Sequence, residues 1–140
     1  MFLKKDKSSK PQSRIDSLIG VGTKIEGDVT FTGGLRLDGE VKGDVRAIGD
    51  GGGTLVISEH ARIEGEINVS HLVINGTIIG SVSSSEFLEL QPRARVTGDV
   101  QYNNLEVHLG AMVQGRLVHQ GGTGQAVELK LASSNRRIPS

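Results

Sequence analysis

From residue 18 onward the chain alternates apolar and polar positions in short bursts. Leu35 and Leu37, Leu55 and Ile57, Leu72 and Ile74, Leu88 and Leu90, and Leu105 and Val107 each flank a single variable position. A second burst recurs beside them, as IEGDV at residue 25, VKGDV at 41, IEGEI at 63, IIGSV at 78, VTGDV at 96 and VQGRL at 113. Alternation with a period of two over a few residues marks a strand with one buried face. Each unit therefore predicts two or three strands of about three to five residues separated by turns, with no helical stretch between them.

The central glycines of the recurring phrase are Gly27, Gly43, Gly65, Gly80, Gly98 and Gly115, spaced 16, 22, 15, 18 and 17 residues apart. The longest step contains GDGGGT, residues 49–54, which reads as an inserted loop. A unit this small cannot bury its apolar face alone, whereas stacked copies share one continuous core. Three short strands and three corners per unit give an all-β triangular β-helix, or β-solenoid, of about six coils over residues 18–131. With coils about 4.8 Å apart, Ile25, Val41, Ile63, Ile78 or Ile79, Val96 and Val113 stack as an internal ladder. The six glycines are expected at coil corners that need a positive φ or close approach of the next coil. Asp28, Asp44, Glu66 and Asp99 follow them and are expected to face solvent; Ser81 and Arg116 interrupt the series, which argues against a ladder of bound cations.

Composition fits a narrow core. Hydrophobic residues make up 36% of the 140, aromatics only 3%, and six of the 20 glycines sit at the centres of the repeated phrases. The absence of cysteine excludes disulfides and thiolate metal sites. No apolar run approaches the ~20 residues needed to span a bilayer, and with no secretory leader pattern the expected compartment is the cytoplasm.

The net charge of zero conceals an asymmetry. Residues 1–17 carry a net +3 and residues 132–140 a net +2, leaving −5 on the body between them. These terminal stretches read as disordered basic tails suited to anionic partners. The acidic body argues against nucleic acid as a partner.

A solenoid leaves unpaired backbone groups and an open slice of core at each end. Proteins usually blunt such edges, but neither LIGVG at residues 18–22 nor AVELKL at 126–131 offers an amphipathic helix as a cap. Leu18, Ile19 and Val21 at one end, and Val127, Leu129 and Leu131 at the other, are therefore the expected polymer contacts. End-to-end association of this kind extends without limit unless geometry closes it, and it needs no nucleotide. The alternative is that the tails fold back over the ends.

Catalytic readings find little support. GDGGGTL lacks the Lys-Ser/Thr of a phosphate-binding loop. His60, His71, His108 and His119 form no His-x-x-x-His pair and no recognisable triad, so they read as surface or corner residues. Phe31, Phe87 and Tyr102 are too scattered for a sugar-stacking surface. The main rival is the left-handed β-helix of hexapeptide acyltransferases, because Ile19, Ile25, Phe31 and Leu37 keep a six-residue step; that step fails at Gly43, and a catalytic role for His71 or His108 has no support. No catalytic residue, cofactor or metal is assigned.

LVISEHARIEGEINVSHLVINGTIIGSV at residues 55–82, followed by LELQPRARVTGDV and LEVHLGAMVQGRL, resembles the bactofilins, bacterial polymer-forming cytoskeletal proteins. The resemblance covers roughly residues 18–120. It implies a right-handed β-helix with disordered tails, polymerisation through terminal coils without nucleotide, and a cytoplasmic scaffold, often at the membrane, that positions cell-wall enzymes or other morphogenesis partners. It also implies a membrane-targeting peptide at Met1, Phe2 and Leu3, followed by Lys4 and Lys5. Each apolar side chain is worth at most ~1.5–3 kcal/mol when buried, and each nearby lysine adds ~1 kcal/mol on an anionic leaflet.

Overall fold

The alternating bursts fold as strands throughout, because β-branched and leucine-rich segments this short gain stability only by pairing with neighbours. The structure, a computed structural model, describes residues 15–49 and 53–120 and the backbone of 126–128. The first coil comprises β1 (Ser17–Ile19), β2 (Lys24–Glu26) and β3 (Val29–Phe31), and the second β4 (Gly33–Leu37), β5 (Glu40–Lys42) and β6 (Val45–Ala47). The third opens with β7 (Gly53–Ile57) and β8 (Arg62–Glu64). Two longer strands, β9 (Ile67–Ile74) and β11 (Val82–Leu90), run past a corner from one coil into the next, with β10 (Thr77–Ile79) between them. Strands β12 (Arg95–Thr97) and β13 (Val100–Tyr102) complete the fifth coil, and β14 (Leu105–Val107), β15 (Met112–Gln114) and β16 (Arg116–His119) make the sixth. A final strand, β17, spans Ala126–Glu128.

Three faces result. The first stacks β1, β4, β7, the second half of β9, the second half of β11, and β14. The second face is a six-stranded sheet of β2, β5, β8, β10, β12 and β15. The third stacks β3, β6, and the leading halves of β9 and β11, then β13 and β16. All these pairings are parallel. The uneven spacing of the repeats is absorbed at the corners: the turn from first to second face takes two residues at Asp38–Gly39 and Asn75–Gly76 but four at 20–23, 58–61, 91–94 and 108–111.

Register keeps like over like. Leu35, Leu55, Leu72, Leu88 and Leu105 form one column of the first face, and Leu37, Ile57, Ile74, Leu90 and Val107 another. On the second face Ile25, Val41, Ile63, Ile78, Val96 and Val113 align. Ile78 is thus the ladder residue, and Ile79 points outward, 39% exposed. Most of these side chains are fully buried, and each is worth about 1.5–3 kcal/mol relative to exposure.

The glycine column has a steric cause. A Cβ on Gly65, at φ +154°, would lie 2.1 Å from the carbonyl oxygen of Gly43 one coil earlier, and the same approach recurs at Gly43, Gly80, Gly98 and Gly115. After three of the glycines in the column, Gly27, Gly43 and Gly98, the next residue does more than face water. Asp28 Oδ1 accepts a hydrogen bond from the Asp44 N–H at 2.9 Å, Asp44 Oδ1 from the Glu66 N–H at 3.0 Å, and Asp99 Oδ1 from the Arg116 N–H at 3.1 Å. Backbone groups left unpaired at a corner are thereby satisfied by the coil below. The insertion is also shorter than its sequence suggests. Gly53 and Thr54 are buried within β7, where a Cβ at residue 53 would meet Ala47 and Phe31; residues 50–52 lie outside the described residues.

Candidate functional site: the two ends of the solenoid

At the amino-terminal end, β1, β2 and β3 each pair on one side only among the described residues. The chain joins this coil slightly before residue 18: the Asp16 N–H donates to the Gly34 carbonyl at 2.9 Å, and Asp16 Oδ2 accepts from the Gly34 N–H at 3.0 Å. The core columns end here at Ile19, Ile25 and Val29, which are half-buried, whereas Leu37, Val41 and Val45 above them are buried. Leu18 is placed differently. It is paired with Arg36 on the outward side of the first face and is 62% exposed, while Val21 sits at a corner tip, 70% exposed. Of the three expected contacts at this end, only Ile19 belongs to the core slice.

The opposite end is asymmetric. Among the described residues β14 and β15 have no strand beyond them, whereas β16 pairs antiparallel with β17 through Arg116 and Glu128, Leu117 and Val127, and Val118 and Ala126. Val127 therefore lies across the edge of the last coil as part of a returning strand. Its side chain, and Leu129 and Leu131 altogether, lie outside the described residues, as do Met1, Phe2, Leu3, Lys4 and Lys5. Sequence reasoning missed Val107 and Leu109, which are exposed at this end. The signal was present in the Leu-x-Val pair that closes the first-face column, but nothing local showed that this was its last member.

Charge also distinguishes the ends. On the outer side of the second face, Lys24, Glu40 and Arg62 form one column and Glu26, Lys42 and Glu64 its neighbour, so signs alternate from coil to coil. Opposite charges directly across strands stabilise, and like charges destabilise, so this half opposes a slipped register. The later coils carry Thr77 and Ile79, Arg95 and Thr97, and Met112 and Gln114 in the same places. Further ties run from coil five to coils three and four, where Arg93 Nε lies 3.1 Å from Glu59 Oε1 and the Arg93 N–H donates to Asn75 Oδ1 at 2.9 Å.

The histidines disperse. His60 is on an exposed corner, His71 lies beside Ser70 on β9, and His119 contacts the ring of Tyr102. His108 meets Glu89 and Glu106, a juxtaposition that the pairing of histidines in the sequence did not reveal.

A family model described as polymer-forming cytoskeletal, the bactofilin model, matches residues 17–118. The chain belongs to the bactofilin family. The matched segment of this bactofilin begins at β1 and ends within β16, so it coincides with the six coils and leaves out β17. Among curated proteins, Bactofilin BacP of Myxococcus xanthus (strain DK1622) is 23% identical over 112 residues, covering 79% of this chain and 45% of BacP. Bactofilin BacO of the same organism is 24% identical over 102 residues, covering 73% of this chain and 78% of BacO. The solved structure of Thermus thermophilus bactofilin, a cryo-EM reconstruction of double helical filaments, is 29% identical with a TM-score of 0.66 and covers 74% of this chain and 99% of that one. The bactofilin solenoid, rather than the hexapeptide acyltransferase fold, is the architecture of this chain. Among the described residues no helix is long and apolar enough to cross a membrane.

Proposed function

We propose that this chain is a structural subunit that assembles end to end, without nucleotide, into filaments on the inner face of the cytoplasmic membrane. There it recruits cell-wall or other morphogenesis proteins and performs no catalysis itself. The observation that carries the reading is the state of the amino-terminal end: three strand edges continue the parallel register, above them the core is closed, and Ile19, Ile25 and Val29 are only half-buried. A second copy seated there would satisfy the N–H and C=O groups that have no strand partner among the described residues and complete the burial of three aliphatic side chains. Membrane attachment is assigned to Met1, Phe2 and Leu3 with Lys4 and Lys5. One such segment binds weakly, but a filament presents many, and linked weak contacts multiply into avidity.

Two measurements test this. Negative-stain microscopy of the purified chain without nucleotide is expected to show filaments; a uniform monomer at tens of micromolar overturns the assembly. Co-sedimentation with vesicles containing anionic lipid is expected to be lost when Phe2 and Leu3 are both changed to Ser; undiminished binding overturns the attachment while leaving assembly intact.

A further inference from the structure

We propose that Glu89, Glu106 and His108 form a binding site for a divalent transition-metal ion of the zinc class, at the seam between the fifth and sixth coils. Glu89 on β11 and Glu106 on β14 are direct partners in the parallel register of the first face. Two carboxylates are thus set across from one another, an arrangement that is destabilising unless a positive charge lies between them. Among the described residues no Lys or Arg pairs with either; the group that reaches both is His108.

The donor geometry suits an ion. His108 Nε2 lies 2.8 Å from Glu89 Oε2 and 3.2 Å from Glu106 Oε2. One ligand atom from each of the three residues falls within 4.8 Å of the others. Tetrahedral zinc with bonds of about 2.0–2.1 Å holds its ligand atoms about 3.3 Å apart. The His108–Glu106 separation already matches, and the His108–Glu89 separation needs to open by about half an ångström, a side-chain adjustment. One imidazole and two carboxylates favour zinc-like ions over magnesium or calcium, which prefer all-oxygen shells. Gln91 Nε2, 3.3 Å from Glu89 Oε2, helps to orient that carboxylate. The contact between His60 and Glu59, at 3.6 Å between chain neighbours, has no comparable third ligand among the described residues, where the three-donor cluster occurs at this seam.

Below the site the same outward column carries Val73 and Val56, so the donors are confined to the last two coils. Bound there, an ion supplies the positive charge that the facing carboxylates of Glu89 and Glu106 call for. It also ties β14, whose one strand partner among the described residues is β11, to the body of the solenoid through side chains.

The test is titration of the full, chelator-treated chain with zinc chloride at pH 7.5, by calorimetry and by thermal unfolding. Saturable binding of one ion per chain and a rise in Tm are expected. Glu106→Gln, at an exposed position that folding tolerates, and His108→Ala should each weaken binding by at least about tenfold, while His60→Ala should leave it unchanged. Magnesium should not compete. Failure of the wild-type chain to bind zinc saturably overturns the proposal. So does equal affinity in Glu106→Gln and His108→Ala, which would mark an adventitious ion only.

Discussion

Gly65 and Gly27 occupy the same place in the repeat but meet different surroundings. At Gly65 the preceding coil fills the space a Cβ would need; at Gly27, in the first coil, nothing lies within 4 Å of that position. Gly65→Ala is therefore expected to cost about 3 kcal/mol or more, combining a backbone clash with positive-φ strain. Gly27→Ala should cost only the conformational term, about 1–2 kcal/mol, measured as thermal unfolding at matched concentration. Asp38 gives a second residue-scale test. A hydrogen bond to Ser58 holds its carboxyl below the ordinary value of 3.8, with Arg36 assisting against desolvation. Because the folded-state value is depressed, the stabilisation is complete above the ordinary range and is lost as pH falls through the folded value. The gap in Tm between wild type and Asp38→Asn should thus be wider at pH 6 than at pH 3, and an equal gap would show that the carboxylate contributes nothing through its ionisation.

Each strand is too short to persist alone, so an element's contribution depends on how many neighbours it has. Leu72 sits on β9 between β7 and β11 and is fully buried. Truncation to Ala leaves a cavity in a column that cannot collapse and is expected to cost about 2–5 kcal/mol. Leu105, in the last coil and half-buried, loses less contact, and Leu105→Ala should cost about 1 kcal/mol. Comparable losses at both positions would mean that the end of the solenoid is covered more completely than its pairing indicates. The columns to which these leucines belong were legible in the sequence, because alternation marks the inward residue of each strand. The carboxylate contacts from Asp28, Asp44 and Asp99 to the next coil were not, since a polar residue after a corner glycine looks the same whether it meets water or a neighbouring N–H.

For the whole molecule, the parallel register that builds the core also creates the ends. If a second copy stacks through the core slice, Ile19→Arg places a charge at the foot of the column formed with Leu37 and Ile57 and should reduce filaments to short oligomers. Leu18→Arg changes an outward side chain on the same edge strand and should leave stacking largely intact. The two variants compared by sedimentation and microscopy separate association through the core from association through the outer surface; loss of filaments in Leu18→Arg alone would place the contact on the outer face. At the other end, β17 lies over β16, so the two ends are not equivalent surfaces for assembly.

By itself the sequence determined the strand content, the six-fold repetition, the glycine corners and the aliphatic ladder, because these follow from local alternation and from a step of about 17.6 residues repeated along the chain. Tertiary structure decided what local periodicity leaves open. It chose Ile78 over Ile79 for the core, drew Gly53 and Thr54 into β7, and turned β17 antiparallel across the last coil. It also set Glu89 opposite Glu106 with His108 between them. The physical reason is that contacts between coils depend on how many residues each corner consumes, and corner length is settled only when the coils close on one another.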